Sequence, residues 1–170
     1  MKKFLDAAIL DGVVPQYTSH DRAIALGLDP ICYGNSRPDW VWILPDRWIV
    51  LEVDENQHSG MQYSCERRRE LQICNVAGSV PVHFIRFNPD TFKTGSKSAR
   101  VRVQGEAIVK RHTVVINTIK EAVGQVSPIG LTFKKLFFDC SCVGENGTHA
   151  CNFTHTSHYA DHEDFLMSFQ

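Results

Sequence analysis

The spacing of apolar and polar residues divides this chain into seven elements. Residues 3–10 predict a short helix. Residues 11–37 are mixed and broken by Pro15, Gly27, Pro30 and Gly34, which predicts a loop with a turn of helix at 21–26. Two β-branched and aromatic runs follow, "DWVWIL" (39–44) and "RWIVLEVD" (47–54), separated by Pro45-Asp46. Residues 61–77, dense in "CERRRELQIC", predict a helix ended by Gly78. "PVHFIRF" (81–87) predicts a strand closed by Asn88-Pro89, and 91–104 a polar, mobile stretch. Residues 105–123 predict a helix ended by Gly124, and "LTFKKLFFDCSCV" (131–143) a long last strand. The order helix, strand, strand, helix, strand, helix, strand predicts an α/β fold with a small mixed β-sheet flanked by helices. No internal repeat is present.

Composition changes this picture little. A chain of 170 residues predicts one domain with room for an appendage. A net charge of −1 removes any global basic signature, so nucleic-acid binding has to come from local patches. No apolar run approaches the roughly 18–20 residues of a membrane span. In "MKKFLDAAILDG", Asp6 and Asp11 interrupt the apolar stretch that a signal peptide needs, so the expected location is intracellular and not secreted. Six cysteines without export point to reduced thiols or metal rather than to a disulfide scaffold. The sequons at Asn146 and Asn152 then read as chance matches.

The candidate chemistry begins in "IVLEVDENQHSG" (49–60), an apolar run that leads straight into Glu52, Asp54, Glu55 and His58. If the two runs form a hairpin about Pro45-Asp46, Asp39 sits opposite Glu52. Strand alternation puts Asp54 on the same face. Paired Cβ atoms lie about 4.5–5.5 Å apart, so three carboxylates converge and repel unless a proton or a cation lies between them. Oxygen-only ligands with open positions suit Mg²⁺ or Mn²⁺. His58, just past the strand, adds a proton-transfer group near neutral pH. The plainer alternative is an edge strand with solvated acids and a surface histidine. A loop one residue longer or shorter would move Asp39 off Glu52's face.

"RPDWVWILPDRWIVLEVDENQH", with "YSCERRRELQI" and "PVHFIRFNPD", resembles the PD-(D/E)XK nuclease superfamily over residues 37–92. It is most similar to very-short-patch-repair-like endonucleases and to nuclease-like proteins of large DNA viruses. The resemblance implies a restriction-endonuclease-like core, a Mg²⁺-dependent endonuclease activity and DNA as partner. It implies a catalytic set of Asp39, Glu52, Asp54, Gln57 and His58, with Asp39, Glu52 and Asp54 as metal ligands. Asp54 stands where the superfamily usually carries lysine, which leaves the water-activating group open. Glu66 and Arg69 lie three apart on one helix face and reach toward the site's edge, although "CERRRE" also reads as a solvated face.

Candidate phosphate contacts are Arg67, Arg68 and Arg69, then Lys97, Arg100, Arg102, Lys110 and Arg111, with Lys93 nearby and Glu106 as the acid among them. A soluble surface loop explains the second group equally well. Trp40, Trp42 and Trp48 read as core or hairpin-face residues rather than base-stacking platforms. A hairpin turning at Glu145-Asn146 would set Cys142 opposite His149 and Cys140 opposite Cys151, a donor set suited to structural Zn²⁺. Reduced, unliganded cysteines are the simpler reading of the same residues. Cys32, Cys65 and Cys74 read as buried thiols. The expected division is a nuclease-like domain at 1–139 and a Cys/His-rich tail at 140–170. Two other functions stay open: an inactive nucleic-acid-binding module of the same fold, and a zinc-stabilised interaction protein.

Overall fold

The computed structural model describes residues 1–22, 37–55, 63–93, 100–101, 105–125, 130–138, 154–160 and 162–167. It is a mixed α/β fold. The elements run α1 (Lys2–Leu10), β1 (Ser19–His20), β2 (Trp40–Leu44), β3 (Arg47–Val53), α2 (Tyr63–Ala77), β4 (Val82–Phe87), β5 (Phe92–Lys93), β6 (Arg100–Val101), α3 (Glu106–Gly124), β7 (Leu131–Leu136), β8 (Thr154–Tyr159) and α4 (His162–Met167). Six strands form one sheet in the order β1-β2-β3-β4-β7-β8, and β5 with β6 forms a separate two-stranded ribbon. β3, β4 and β7 are parallel, joined by crossovers through α2 and α3. β4 is buried at all six positions, as a parallel strand covered on both faces must be.

Alternation along the strands sorts the core into two layers. Trp42, Ile49, Leu51, Ile85, Phe87 and Leu136 face α1 and α3, meeting Leu5, Val115 and Ile119. Val41, Val50, Val82, Phe84 and Phe133 face α2 and α4, meeting Ile73, Cys74 and Phe165. Phe133 stacks on Phe84 at 4.7 Å and on Phe165 at 4.9 Å. Trp40 and Trp42 are buried and Trp48 is half-buried, as expected for core and hairpin-face residues.

Chain reversals follow from local chemistry. Gly78, at φ +67°, ends α2. Gly130, at φ +74°, precedes β7 where a Cβ would lie 2.1 Å from the Tyr159 carbonyl, so only glycine fits against the end of β8. Phe137 takes the left-handed conformation at φ +64°, and β7 stops at Leu136 rather than running to 143. Asn88 fixes that end: its amide side chain donates to the Phe137 carbonyl at 2.8 Å, and its backbone N–H to the Leu136 carbonyl at 3.0 Å.

Two stretches differ from the sequence expectation. Within 91–104, Phe92–Lys93 pairs with Arg100–Val101. Residues 154–167, read as tail, add β8 to the main sheet and bury Phe165 completely. "THTSHY" hides its strand character because an edge strand keeps polar residues on its exposed positions. The proposed cysteine hairpin, with Cys140, Cys142, His149 and Cys151, lies outside the described residues, as do Cys32 and the side chain of Cys65. Cys74 is buried, and burial pushes its thiol up to about 12, which makes it an inert core residue. Among the described residues no helix is long and apolar enough to cross a membrane.

Candidate active site: a charged layer between the sheet and helix α2

The β2–β3 hairpin turns at Pro45-Asp46, with Leu44 paired to Arg47 and Trp40 to Leu51. The next pair outward in this register is Asp39 with Glu52, on the face that meets α2. Their side chains exchange backbone contacts. The Val53 N–H donates to Asp39 Oδ2 at 2.7 Å, and the Asp39 N–H to Glu52 Oε2 at 3.4 Å. Asp54 follows two positions on, fully buried, with its N–H donating to the Phe87 carbonyl at 2.8 Å. The end of β3 thus presents the acids that the alternation predicted.

The surroundings of these acids were not legible from the hairpin alone. Arg86 pairs with Glu52 in the β3–β4 register and projects on the same face. Its guanidinium grips Asp54 with two hydrogen bonds, at 2.6 and 3.0 Å. It also donates to Glu66 at 2.9 and 3.1 Å and to Glu70 at 3.1 Å. Arg67 donates to Glu70 at 3.0 Å, and its guanidinium lies 5.0 Å from the Phe165 ring centroid. Arg69 donates to Glu52 Oε1 at 2.5 Å and to the Arg37 carbonyl at 2.9 Å. The charged half of α2 therefore faces the sheet, and the solvated-face reading of "CERRRE" holds for the exposed Arg68.

The signal for this was in the sequence. Glu66, Glu70, Ile73, Cys74 and Ala77 form one helical stripe, apolar at its end and acidic at its start. Arg86 is the lone charge in an otherwise apolar or aromatic strand half. A buried arginine needs partners, and that stripe supplies them.

Asp39, Glu52, Asp54, Glu66 and Glu70 bring five negative charges when ionised, against three positive charges from Arg67, Arg69 and Arg86. Burial, chiefly, raises Glu52 to about 8; Arg69 opposes the shift, and Asp39 and Asp54 add to it. Burial also raises Glu70 against the pull of Arg86 and Arg67. Burial works against the charge on Arg86, but its bonds to Asp54 and Glu66 more than offset this and hold its pKa above the ordinary value. A cavity of about 20 Å³ lies among Glu52, Glu66, Arg69, Glu70 and Arg86, room for a single water-sized species. Buried Arg69 Nε has no hydrogen-bond partner.

For a divalent cation these residues fit in part. Asp39 and Glu52 offer hard oxygen donors beside each other, and Glu52 has to give up its proton before it can hold a cation. Asp54, expected as a third ligand, is instead clasped by Arg86. Among the described residues no group of three or more His, Cys, Asp or Glu side chains is arranged to hold a metal. Gln57 and His58 lie outside the described residues, as do Lys97 and Arg102. Arg100 lies in β6, and Lys110 is exposed on α3.

Three of the expected phosphate contacts are turned inward. Arg67 and Arg69 belong to the charged layer. Arg111 is buried, donates to the Asp90 carbonyl at 2.7 Å, and lies 4.8 and 4.7 Å from the Phe92 and Phe137 ring centroids. It ties the loop after β4 to α3, and burial lowers its pKa to about 10. A long basic side chain at the start of a helix looks the same in sequence whether it meets solvent or a ring of carbonyls.

Compared with known protein families, curated proteins and solved structures, the chain has no significant match.

Proposed function

We propose that this chain is a divalent-metal-dependent endonuclease that hydrolyses phosphodiester bonds in DNA, with Asp39 and Glu52 as its metal-binding carboxylates. The observation that carries the reading is the hairpin register. It sets two carboxylates side by side at the end of a central strand, in a layer whose acids outnumber its arginines. The mixed, helix-flanked sheet is compatible with the restriction-endonuclease-like core that the sequence resemblance implies.

Bound at Asp39 and Glu52, Mg²⁺ or Mn²⁺ would polarise the scissile phosphate and activate water. The chain's own residues supply the rest. Arg69, already against Glu52, would stand beside a phosphate held by a cation on that carboxylate and could donate to one of its oxygens. Arg86 ties Asp54, Glu66 and Glu70 together through hydrogen bonds and so holds the floor of the site rigid. His58 is assigned proton transfer, as base toward water or as acid toward the leaving oxygen, with Gln57 beside it. Exposed Arg68 and Lys110, with Lys97, Arg100 and Arg102, are assigned phosphate contacts.

The closed pairing of Asp54 with Arg86 and of Glu52 with Arg69 favours a second reading. There the charged layer is structural, and the chain is an inactive nucleic-acid-binding module. One assay separates them: supercoiled plasmid, single-stranded DNA and branched DNA, each incubated with Mg²⁺, Mn²⁺ or EDTA. Metal-dependent nicking that collapses in Asp39→Asn is the expected result. Binding without cleavage under every metal condition selects the second reading.

A further inference from the structure

The opposite face of the sheet carries a polar feature that the nuclease reading does not use. On that face Ile49, Leu51, Ile85 and Phe87 pack under α3. Two residues before Ile85 the character changes. His83 on β4 pairs with Thr132 on β7, and Thr132 pairs with His158 on β8. These three form one row across three strands. With Lys134 in the next row and Thr118 and Gln125 from the α3 side, they line a groove of about 740 Å³. Ligand sites commonly fall within roughly 300–1,000 Å³.

A sheet face beside a packed helix is ordinarily apolar. Here it holds an imidazole that is 4% exposed and whose Nε2 has no hydrogen-bond partner. Thr132 Oγ1 lies 3.2 Å from His158 Nδ1, so these two groups satisfy each other. Lys134 Nζ reaches Glu121 at 3.0 Å. The cations near His83 are Arg47 and Lys134, paired with Asp46 and Glu121. Burial, chiefly, lowers the pKa of His83 to about 4; Arg47, Lys134 and His158 push the same way, and Asp46 opposes them. A neutral imidazole keeps one N–H; with that proton on Nε2 the ring is a donor without an acceptor, in the same groove as the Lys134 ammonium, a pair of donors that suits an oxyanion.

We propose that this groove binds a small molecule bearing an oxyanion, either a phosphomonoester or a carboxylate. His83 Nε2–H and Lys134 Nζ receive the oxyanion, and Ile85 and Ala122 give the rest of the molecule an apolar surface. The site stands on the face opposite Asp39 and Glu52, so it neither needs nor supports the nuclease reading.

The test is a titration of the full chain at pH 7, followed by NMR of the imidazole nitrogens. The His83 signal is assigned by its loss in His83→Gln. Inorganic phosphate, a nucleoside monophosphate and succinate are the probes, with sodium chloride at equal ionic strength as control. A saturable shift of the His83 signal is expected for at least one probe, in the millimolar range or tighter, and weakened roughly tenfold in Lys134→Met. Response to the monophosphate alone, or to succinate alone, identifies the oxyanion. If His83 is unmoved by all three, moves equally with chloride, or responds unchanged in Lys134→Met, the proposal is overturned. Should His83→Gln fail to fold, His83→Asn supplies the assignment, and the half-exposed Lys134→Met is compared with wild type on the signal so identified.

Discussion

Ile85 and Arg86 are neighbours in β4 and both are buried, yet they belong to two kinds of interior. Ile85 faces α3 in an apolar layer, where each contact is non-directional and a lost methyl is felt locally. Arg86 faces α2 and is the common partner of Asp54, Glu66 and Glu70. In that layer every member depends on the others, because a buried charge without its partner is far worse than no charge at all. A chain has little reason of stability to build such a layer, since apolar residues of similar volume hold a fold as well or better. The layer sits where the β2–β3 hairpin sets Asp39 beside Glu52, which is why we read it as the support of a site.

Substitutions at the two neighbours break this comparison most sharply. Arg86→Met should destabilise the fold by about 3–5 kcal/mol near neutral pH, because it strands buried carboxylates. Those acids then have folded-state pKa values above their unfolded ones, so the loss should shrink as pH falls toward the ordinary carboxylate range. Denaturant melts at several pH values check both points. Asp54→Asn removes one partner of Arg86 and leaves the others, and should cost about 1–3 kcal/mol. The sequence alone suggests the reverse, relief from repulsion, because it does not reveal Arg86 between the acids.

Glu52→Gln should move stability the other way at high pH. Glu52 rises from an ordinary 4.5 to about 8 in the fold, so the folded state holds a proton that the unfolded chain has released. Its contribution is fully present below about 4.5 and is lost as pH rises toward about 8. Glutamine has nothing to ionise. The variant should therefore match wild type near pH 4.5 and exceed it near pH 8 by at least ~1.4 kcal/mol, the equivalent of one pKa unit. Ile85→Val, the control on the apolar side, should cost about 0.5–1.5 kcal/mol at every pH.

Much of the scaffold was legible because it rests on local rules. The two-residue turn at Pro45-Asp46 fixes the hairpin register, and that register alone sets Asp39 against Glu52. The apolar runs at 39–44, 47–54 and 81–87 and the break at Gly78 locate β2, β3, β4 and the end of α2. What was missed depends on tertiary pairing. Nothing local tells whether Arg67, Arg69 and Arg111 turn to solvent or inward, and the answer came from acids on another element and from carbonyls of a loop. β8 was missed for a related reason. "THTSHY" becomes a strand through its antiparallel pairing with β7, and it carries no apolar alternation of its own.

The central claim is that Asp39 and Glu52 together hold one divalent cation. Calorimetric titration of Mg²⁺ into EDTA-treated, dialysed protein tests this without any assumption about substrate. Saturable binding near one equivalent is expected for wild type and for Ile85→Val, and its loss in Asp39→Asn and in Glu52→Gln. No binding by wild type, or equal binding by both carboxylate variants, would contradict the claim and leave the layer as structure alone.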